Sequence, residues 1–499
     1  MPKLSSQPLY RFFEMIPGLL IWITFGLVFL VSFVRPLWVV IFIILLSTLW
    51  LVRVVYFVFY LIISWRDYKQ TQRVDWHKRM KTHPQWESYL HAIILPTYTE
   101  PLDVLDRSIQ SYIHSDYPQQ RILLILAGEI RDSQFQTIAE TLRQRYQSKL
   151  FDIVITTHPS NLPGEIPAKG ANAHWAGKAL ERYCYTKQIA TESVIVSYFD
   201  SDTCVAPNYF SMLTTTFLEH PDRYHTAFQP IAVYANNIWH SPFFTRVSAF
   251  STTFWLMAEL ARPERLYTFS SHAMSLQALI DVDFWQPDIV TDDSRIFLQC
   301  FLRYHGKFSV TPLYSIVSMD TAMSSTWWKS MLNLYRQQRR WAYGVEHFPY
   351  LAWHFRNEYT IPLSTRWKFL WKLIEGSYTW ATTPLLLFIF GHLPLIVLRH
   401  QISTPTILQV NAPIVLQWLM GLAMIGIIAS VTIELQLLPE RPPSVRATKF
   451  AEMLLQWVAL PFSLVIFGCL PAAEAQTRLM LGFYLGFTVT EKVSLPLKK

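Results

Sequence analysis

Ser197-Tyr198-Phe199-Asp200-Ser201-Asp202-Thr203 is the stretch from which the rest of the chain can be read. The apolar run from Val194 to Phe199 reads as a buried strand, and it delivers two carboxylates two residues apart. Mg²⁺ and Mn²⁺ take oxygen ligands and sit between one or two carboxylates and substrate phosphates. Asp200 and Asp202 are therefore a candidate cation pair. Two aspartates capping a turn give the same pattern, and an isolated Asp-x-Asp is more often that, so the motif has to be judged by its surroundings.

Upstream, Leu90 to Pro96 reads as a buried strand, and Glu100-Pro101 opens a helix to about His114. A strand at Ile122 to Ala127 and a helix around Ser133 to Gln147 follow. Next come a strand at Phe151 to Thr156, a loop at Pro159 to Gly170 and a helix near Ala173 to Thr186. The aspartate-bearing strand is the fourth. This βαβα order predicts an α/β fold with an open, mostly parallel sheet and a ligand site at the carboxyl ends of its strands. Neither the Walker phosphate-loop signature nor Gly-x-Gly-x-x-Gly occurs, which argues against a Walker ATPase and a Rossmann dehydrogenase.

The rest of the 499 residues is unlike a soluble protein: 51% are hydrophobic, 15% aromatic and only 16% charged, against about a quarter charged in soluble domains. Mean hydropathy is +0.20. A bilayer core of about 30 Å needs roughly 20 apolar residues. Met15 to Val34 meets this without a charge, and Pro36 to Trp65 meets it with Arg53 alone, expected near an interface. The first run is too long for a signal peptide and has no cleavage site. Three more candidate spans lie at Gly376 to Leu398, Gln401 to Ile433 and Met453 to Ala473, the last of which also suits a re-entrant hairpin.

Lys and Arg gather on the α/β side of these runs: Arg66, Lys69, Arg73, Lys78, Arg79 and Lys81 after the second, Arg366, Lys368 and Lys372 before the third. Lys3, Arg11, Arg441, Arg446 and Lys449 fall on the same side, and only Arg35 and Arg399 on the other. The positive-inside rule then makes the α/β domain cytoplasmic and the protein integral to a membrane, expected to be the plasma (inner) membrane. The expected division is a cytoplasmic N-terminus (1–14), two transmembrane helices (15–65), the catalytic domain (66–323) and interfacial amphipathic helices (324–366). About three transmembrane or re-entrant helices (367–473) and a tail (474–499) complete it. The net charge of +8 forms no long basic block, so membrane lipids and not nucleic acid are the expected partner. Cys184, Cys204, Cys300 and Cys469 are too few and too scattered for a zinc motif or a disulfide framework.

Five motifs surround the aspartates in order: Pro96-Thr97-Tyr98-Thr99-Glu100 after the first strand, Glu129 after the second, Lys169-Gly170-Ala171-Asn172 after the third, then Thr291-Asp292-Asp293 and Gln337-Gln338-Arg339-Arg340-Trp341. With them the chain resembles the inverting family 2 glycosyltransferases of the membrane, the group of cellulose and hyaluronan synthases, over roughly residues 85–350. The resemblance implies a GT-A-like nucleotide-diphospho-sugar transferase domain, a nucleotide-sugar donor with UDP as its nucleotide, and a Mg²⁺ or Mn²⁺ cofactor. It implies that Tyr98 and Glu100 hold the nucleobase and ribose, with Glu129 where an Asp often contacts the base, and that Lys169 sits near the nucleotide. Asp200 and Asp202 would bind the diphosphate, Asp202 as the direct metal ligand, and Asp293 would be the general base. Gln337, Arg340 and Trp341 would close over the diphosphate and the acceptor, and His272 would line the acceptor pocket. The chain departs from the family in reading Thr291-Asp292-Asp293 where Thr-Glu-Asp is usual.

These roles are chemically sound. A sugar leaves a diphosphate once the developing charge is neutralised, which a cation and an Arg achieve. A carboxylate with a reference pKa near 4 is ionised at pH 7 and accepts the proton of an attacking hydroxyl. A single base opposite the leaving group gives inversion. Structural readings run beside them: Thr291 or Asp292 capping a helix from Ser294 to Arg303, His272 as a core residue, and the aromatic stretch from Trp327 to Trp353 as an internal helix. The expected function is sugar transfer to a polysaccharide or lipid-linked acceptor. The alternative from another class is a polytopic scaffold or transporter with an inactive transferase domain, and a weaker one is phosphoryl or phospholipid transfer at the same cation site.

Overall fold

The computed structural model describes residues 6–401 and 407–486. Lys3, the Arg399 side chain, the presumed outer loop at 402–406 and the tail beyond 486 lie outside the described residues. The chain divides into two compact bodies, residues 62–333 and residues 6–61 with 334–485.

The first body is built on eight strands among the described residues: β1 (Leu90–Pro96), β2 (Ile122–Glu129), β3 (Asp152–His158), β4 (Val194–Tyr198), β5 (Cys204–Val205), β6 (Thr226–Val233), β7 (Ala273–Ser275) and β8 (Ser309–Ser318). They form one sheet in the order β3-β2-β1-β4-β7-β6-β8-β5. β1 to β4 run parallel, and β1 and β2 are buried along their whole length, as parallel strands covered on both faces must be. The expected α/β fold and mostly parallel sheet are present. Short β7 runs antiparallel to both β4 and β6, an insertion that periodicity did not reveal because three residues carry no period.

Crossover helices cover the sheet. Leu102–Ile113 buries Val104, Leu105, Ser108, Ile109 and Tyr112 on one stripe and leaves its other face polar. Three boundaries moved in ways that matter for the site. β2 and β3 run two residues further than expected, to Glu129 and His158, so Glu129 stands at the sheet's end. The helix expected near Ala173 starts at Lys169, placing that ammonium in its first turn. The helix expected from Ser294 begins at Asp292, with Thr291 before it making no side-chain cap bond.

In the second body, four described helices are long and apolar enough to cross a membrane: Pro8–Val34, Pro36–Thr71, Val410–Leu437 and Lys449–Leu481. A fifth candidate, Leu363–Phe388 with Phe390–Leu398, is bent by 43° at its break. The five expected runs are thus four passing singly and one broken pair. Several polar side chains on them are matched internally. Arg53, expected near an interface, is ion-paired with Glu375 and donates to Thr379 Oγ1 at 3.2 Å. Glu434 is buried and accepts from Gln456 Nε2 (2.9 Å) and Trp457 Nε1 (2.6 Å). The last long helix contains a π-helical stretch, Leu464–Cys469. Beyond it, Glu474 takes Tyr335 Oη (2.9 Å), Arg339 (2.6 Å) and Arg478 (2.7 Å). The aromatic stretch expected to lie at an interface divides: Trp327 and Trp328 are exposed, whereas His347–His354 is internal, burying Phe348, Tyr350 and Leu351.

Candidate active site

β4 ends at Tyr198, and the turn that follows carries Asp200 and Asp202, with Thr203 N donating to Asp200 O at 2.9 Å. The Lys169 ammonium, 11% exposed, contacts Asp200 Oδ1 at 2.7 Å and Asp293 Oδ1 at 3.1 Å. One cation therefore joins the first turn of one helix, the end of the central strand and the first turn of another. Burial alone would lower its pKa, but the charges of Asp200, Asp293 and Asp292 outweigh this and raise it, so Lys169 is ionised at every physiological pH. Ser270 donates to the second oxygen of Asp200. Three carboxylates, Asp200, Asp293 and Asp292, thus act on this one ammonium.

Asp202 is 3% exposed and its Oδ2 accepts the backbone N–H of Asp320 at 3.0 Å. Asp320 in turn holds Arg107 at 2.7 Å, and the Arg107 pKa is raised: burial opposes its charge, and Asp320, Cys204 and Asp202 more than offset it. Asp292 is 1% exposed and accepts the Tyr198 hydroxyl at 2.5 Å. Only a glycine fits opposite it: a Cβ on Gly170 would stand 2.9 Å from Asp292 Cβ. Among the described residues, no three His, Cys, Asp or Glu side chains stand together as a metal cluster.

The ends of β1 and β2 carry the other set. Thr99 adopts a left-handed backbone (φ 65°), rare for a β-branched residue. It is held there because its N–H donates to Asp132 Oδ2 at 2.8 Å, while Asp132 Oδ1 accepts Gln134 N at 3.0 Å. Asp132 thus ties the loop after β1 to the loop after β2. Glu100 accepts Tyr98 N at 2.5 Å and Ser201 Oγ at 2.9 Å, linking Tyr98 to the aspartate turn. Glu129 is buried and ion-paired with Arg131, whose guanidinium lies 4.9 Å from the Tyr98 ring centroid. A guanidinium committed in this way covers the carboxylate expected to meet a base.

The sequence-expected residues Tyr98, Glu100, Glu129, Lys169, Asp200, Asp202 and Asp293 all lie at the carboxyl ends of β1, β2 and β4 or in helix turns that follow. His272 is fully buried, its ring edge-on to Tyr198 at 5.6 Å, and Nδ1 is bonded to Phe269 O at 2.9 Å. Burial, opposed by Asp293, brings its pKa down to about 4. It is a core residue beside the site and does not stand on an open acceptor surface. Gln337, Arg340 and Trp341 belong to the other body, half-buried on the helix Trp327–Ala342. Sequence reasoning missed Asp132, Arg107 and Asp320. Each acts through a partner distant in sequence, and only Asp132, two residues from a turn and near Glu129, carried a local signal.

A family model described as Glycosyl transferase family group 2 matches residues 195–470, more than half of the chain, beginning in β4. No curated protein matches the sequence. Among solved structures, a mannosyltransferase of Pyrobaculum calidifontis in complex with GDP-Man and Mn²⁺ is similar at a TM-score of 0.42 and 16% identity, over 78% of this chain and 99% of that one. S. aureus TarS 1–349 in complex with UDP is similar at a TM-score of 0.35 and 12% identity, over 80% and 94%.

Proposed function

We propose a reaction from one premise: the chain belongs to Glycosyl transferase family group 2. The protein moves a sugar from a nucleotide-sugar donor, UDP-linked, to a polysaccharide or lipid-linked acceptor, with inversion and on the cytoplasmic side of the plasma membrane. The observation that carries this reading is the Lys169 bridge, which brings Asp200 and Asp293 within one ammonium's reach although they are separated by almost a hundred residues. A diphosphate-binding carboxylate and a base must be that close for direct displacement.

The donor set fits a hard divalent cation. Asp200 and Asp202 would supply oxygen ligands, and a hard cation of this kind is typically held between one or two carboxylates and substrate phosphates. Bound there, Mg²⁺ or Mn²⁺ supplies charge to neutralise the leaving diphosphate. The chain's own residues do the rest. Tyr98 and Glu100 hold the nucleobase and ribose, with Glu129 acting beside them through Arg131. Lys169 adds a fixed positive charge next to the diphosphate and, through its 3.1 Å contact, holds the Asp293 carboxylate in place. Asp293 takes the proton of the acceptor hydroxyl as that oxygen attacks the anomeric carbon from the face opposite the leaving group. Gln337, Arg340 and Trp341 are assigned to the diphosphate and the acceptor by the family resemblance.

The test is nucleoside diphosphate release by the detergent-purified protein with Mn²⁺ or Mg²⁺, across UDP- and GDP-sugars, beside Asp202→Ala. Release from one donor, abolished by chelator and in the variant, is the expected result. No release and no binding of UDP would instead favour a scaffold or transporter with an inactive domain.

A further inference from the structure

The chain carries Asp292 where its family resemblance leads one to expect a glutamate, and the structure supplies a physical reason. The shorter side chain is fully buried in the first turn of the helix Asp292–Arg303, and an ionised carboxylate in that position is costly unless charge-assisted hydrogen bonds replace water. The Tyr198 hydroxyl, reaching across from the end of β4, donates to Asp292 Oδ2 at 2.5 Å. Tyr198 is itself fully buried and fixed on both faces. The Trp285 ring lies 4.3 Å from its centroid, and the Lys169 ammonium sits over it at 4.0 Å. On the opposite side Gly170 lies so close that a Cβ on it would stand 2.9 Å from Asp292 Cβ.

We infer that Tyr198 and Asp292 form a positioning pair: by anchoring the first turn of the helix, they hold Asp293 beside Lys169 and set its distance from Asp200. Neither residue touches the reacting atoms. The tyrosine hydroxyl and the aspartate are joined by one buried hydrogen bond, so the two residues are coupled. The inference rests on Asp293 being the base. It predicts an effect on turnover and not on donor binding, because the pair acts on the helix turn that carries Asp293.

The test is a double-mutant cycle of Tyr198→Phe and Asp292→Asn in the full-length detergent-purified protein. Turnover of the donor found above, its KM, the UDP dissociation constant and the thermal midpoint are read for each variant. Tyr198→Phe is close to isosteric and is expected to lower kcat about ten-fold, with KM and UDP affinity within two-fold of wild type. Asp292→Asn is expected to lower kcat a few-fold, because the amide oxygen still accepts the hydroxyl. The double variant is expected to equal the worse single variant, since the amide no longer needs the lost donor. Multiplicative losses in the double variant, or a Tyr198→Phe protein with wild-type kcat, would overturn the inference. So would parallel losses of kcat, UDP binding and thermal midpoint, which describe a merely structural pair. Absence of release by the wild type overturns the proposed function instead, and the two failures are distinct.

Discussion

The two bodies of the molecule treat charge in opposite ways. In the helical body Arg53 is matched with Glu375, Glu474 with Arg339, Arg478 and Tyr335, and Glu434 with the donors of Gln456 and Trp457. In the α/β body, the charges of Asp200, Asp292 and Asp293 converge on the ammonium of Lys169, with Asp202 two residues from Asp200. Matched charge among apolar helices replaces the water those groups have lost and holds helices to one another. Carboxylates gathered from several elements at the end of a parallel sheet are suited to a cationic partner, which is why the second arrangement, and not the first, reads as a site.

The sharpest way to break this comparison is Asp293→Asn. Removing this carboxylate should lower transfer by roughly 10³-fold while nucleotide binding persists, since a positioned base contributes about 10² to 10⁴. Full turnover in that variant, measured by diphosphate release, would end the assignment of the base. Gly170→Ala tests the packing beneath the carboxylates. The new methyl must push against Asp292 and Gln286, and turnover is expected to fall about ten-fold with a lower thermal midpoint.

A third prediction concerns pH. Burial holds His91 at about 3 and His272 at about 4, below the ordinary histidine value near 6.5. Between those limits the unfolded chain binds protons that the folded body refuses. Stability is therefore full above about pH 6.5 and is lost as pH falls toward 4, by about 1.4 kcal/mol per pH unit for each histidine. His91→Gln should flatten the fall in thermal midpoint between pH 6.5 and 5; an unchanged slope would remove His91 from the account. The smallest effect belongs to the helical body. Glu434→Gln keeps an acceptor for Gln456 or Trp457 and should cost only about 0.6–1.7 kcal/mol, read as a small shift in thermal midpoint with transfer unaffected. Loss of transfer would mean that the matched charges also take part in function.

The first four strands and the apolar helices were legible because long buried runs and unbroken hydropathy are local properties. Asp200 and Asp202 were legible as two carboxylates delivered by an apolar strand, whereas Lys169 and Asp293 stood out only through the family resemblance, since the helices they begin were expected to start later. What escaped was fixed by partners remote in sequence. No local pattern ties Tyr198 to Asp292 or the Asp320 backbone to Asp202. Asp132 escaped because its task is to hold Thr99 in a backbone shape that the sequence does not advertise. β7 is too short to show alternation, and Arg131 reads as an ordinary surface cation until it is seen paired with Glu129.

The π-helical turn at Leu464–Cys469 matters for angular phase. A residue added to one helical turn rotates everything beyond it by about 100° relative to everything before it. Leu460 to Ser463 and Leu470 to Leu481 therefore present different azimuths than their spacing in sequence suggests, and the side of the helix that brings Glu474 to Tyr335 and Arg339 exists only because of that offset. Hydropathy is blind to rotation: deleting one residue within 464–469 would leave an equally apolar helix while turning its carboxylate away from both partners.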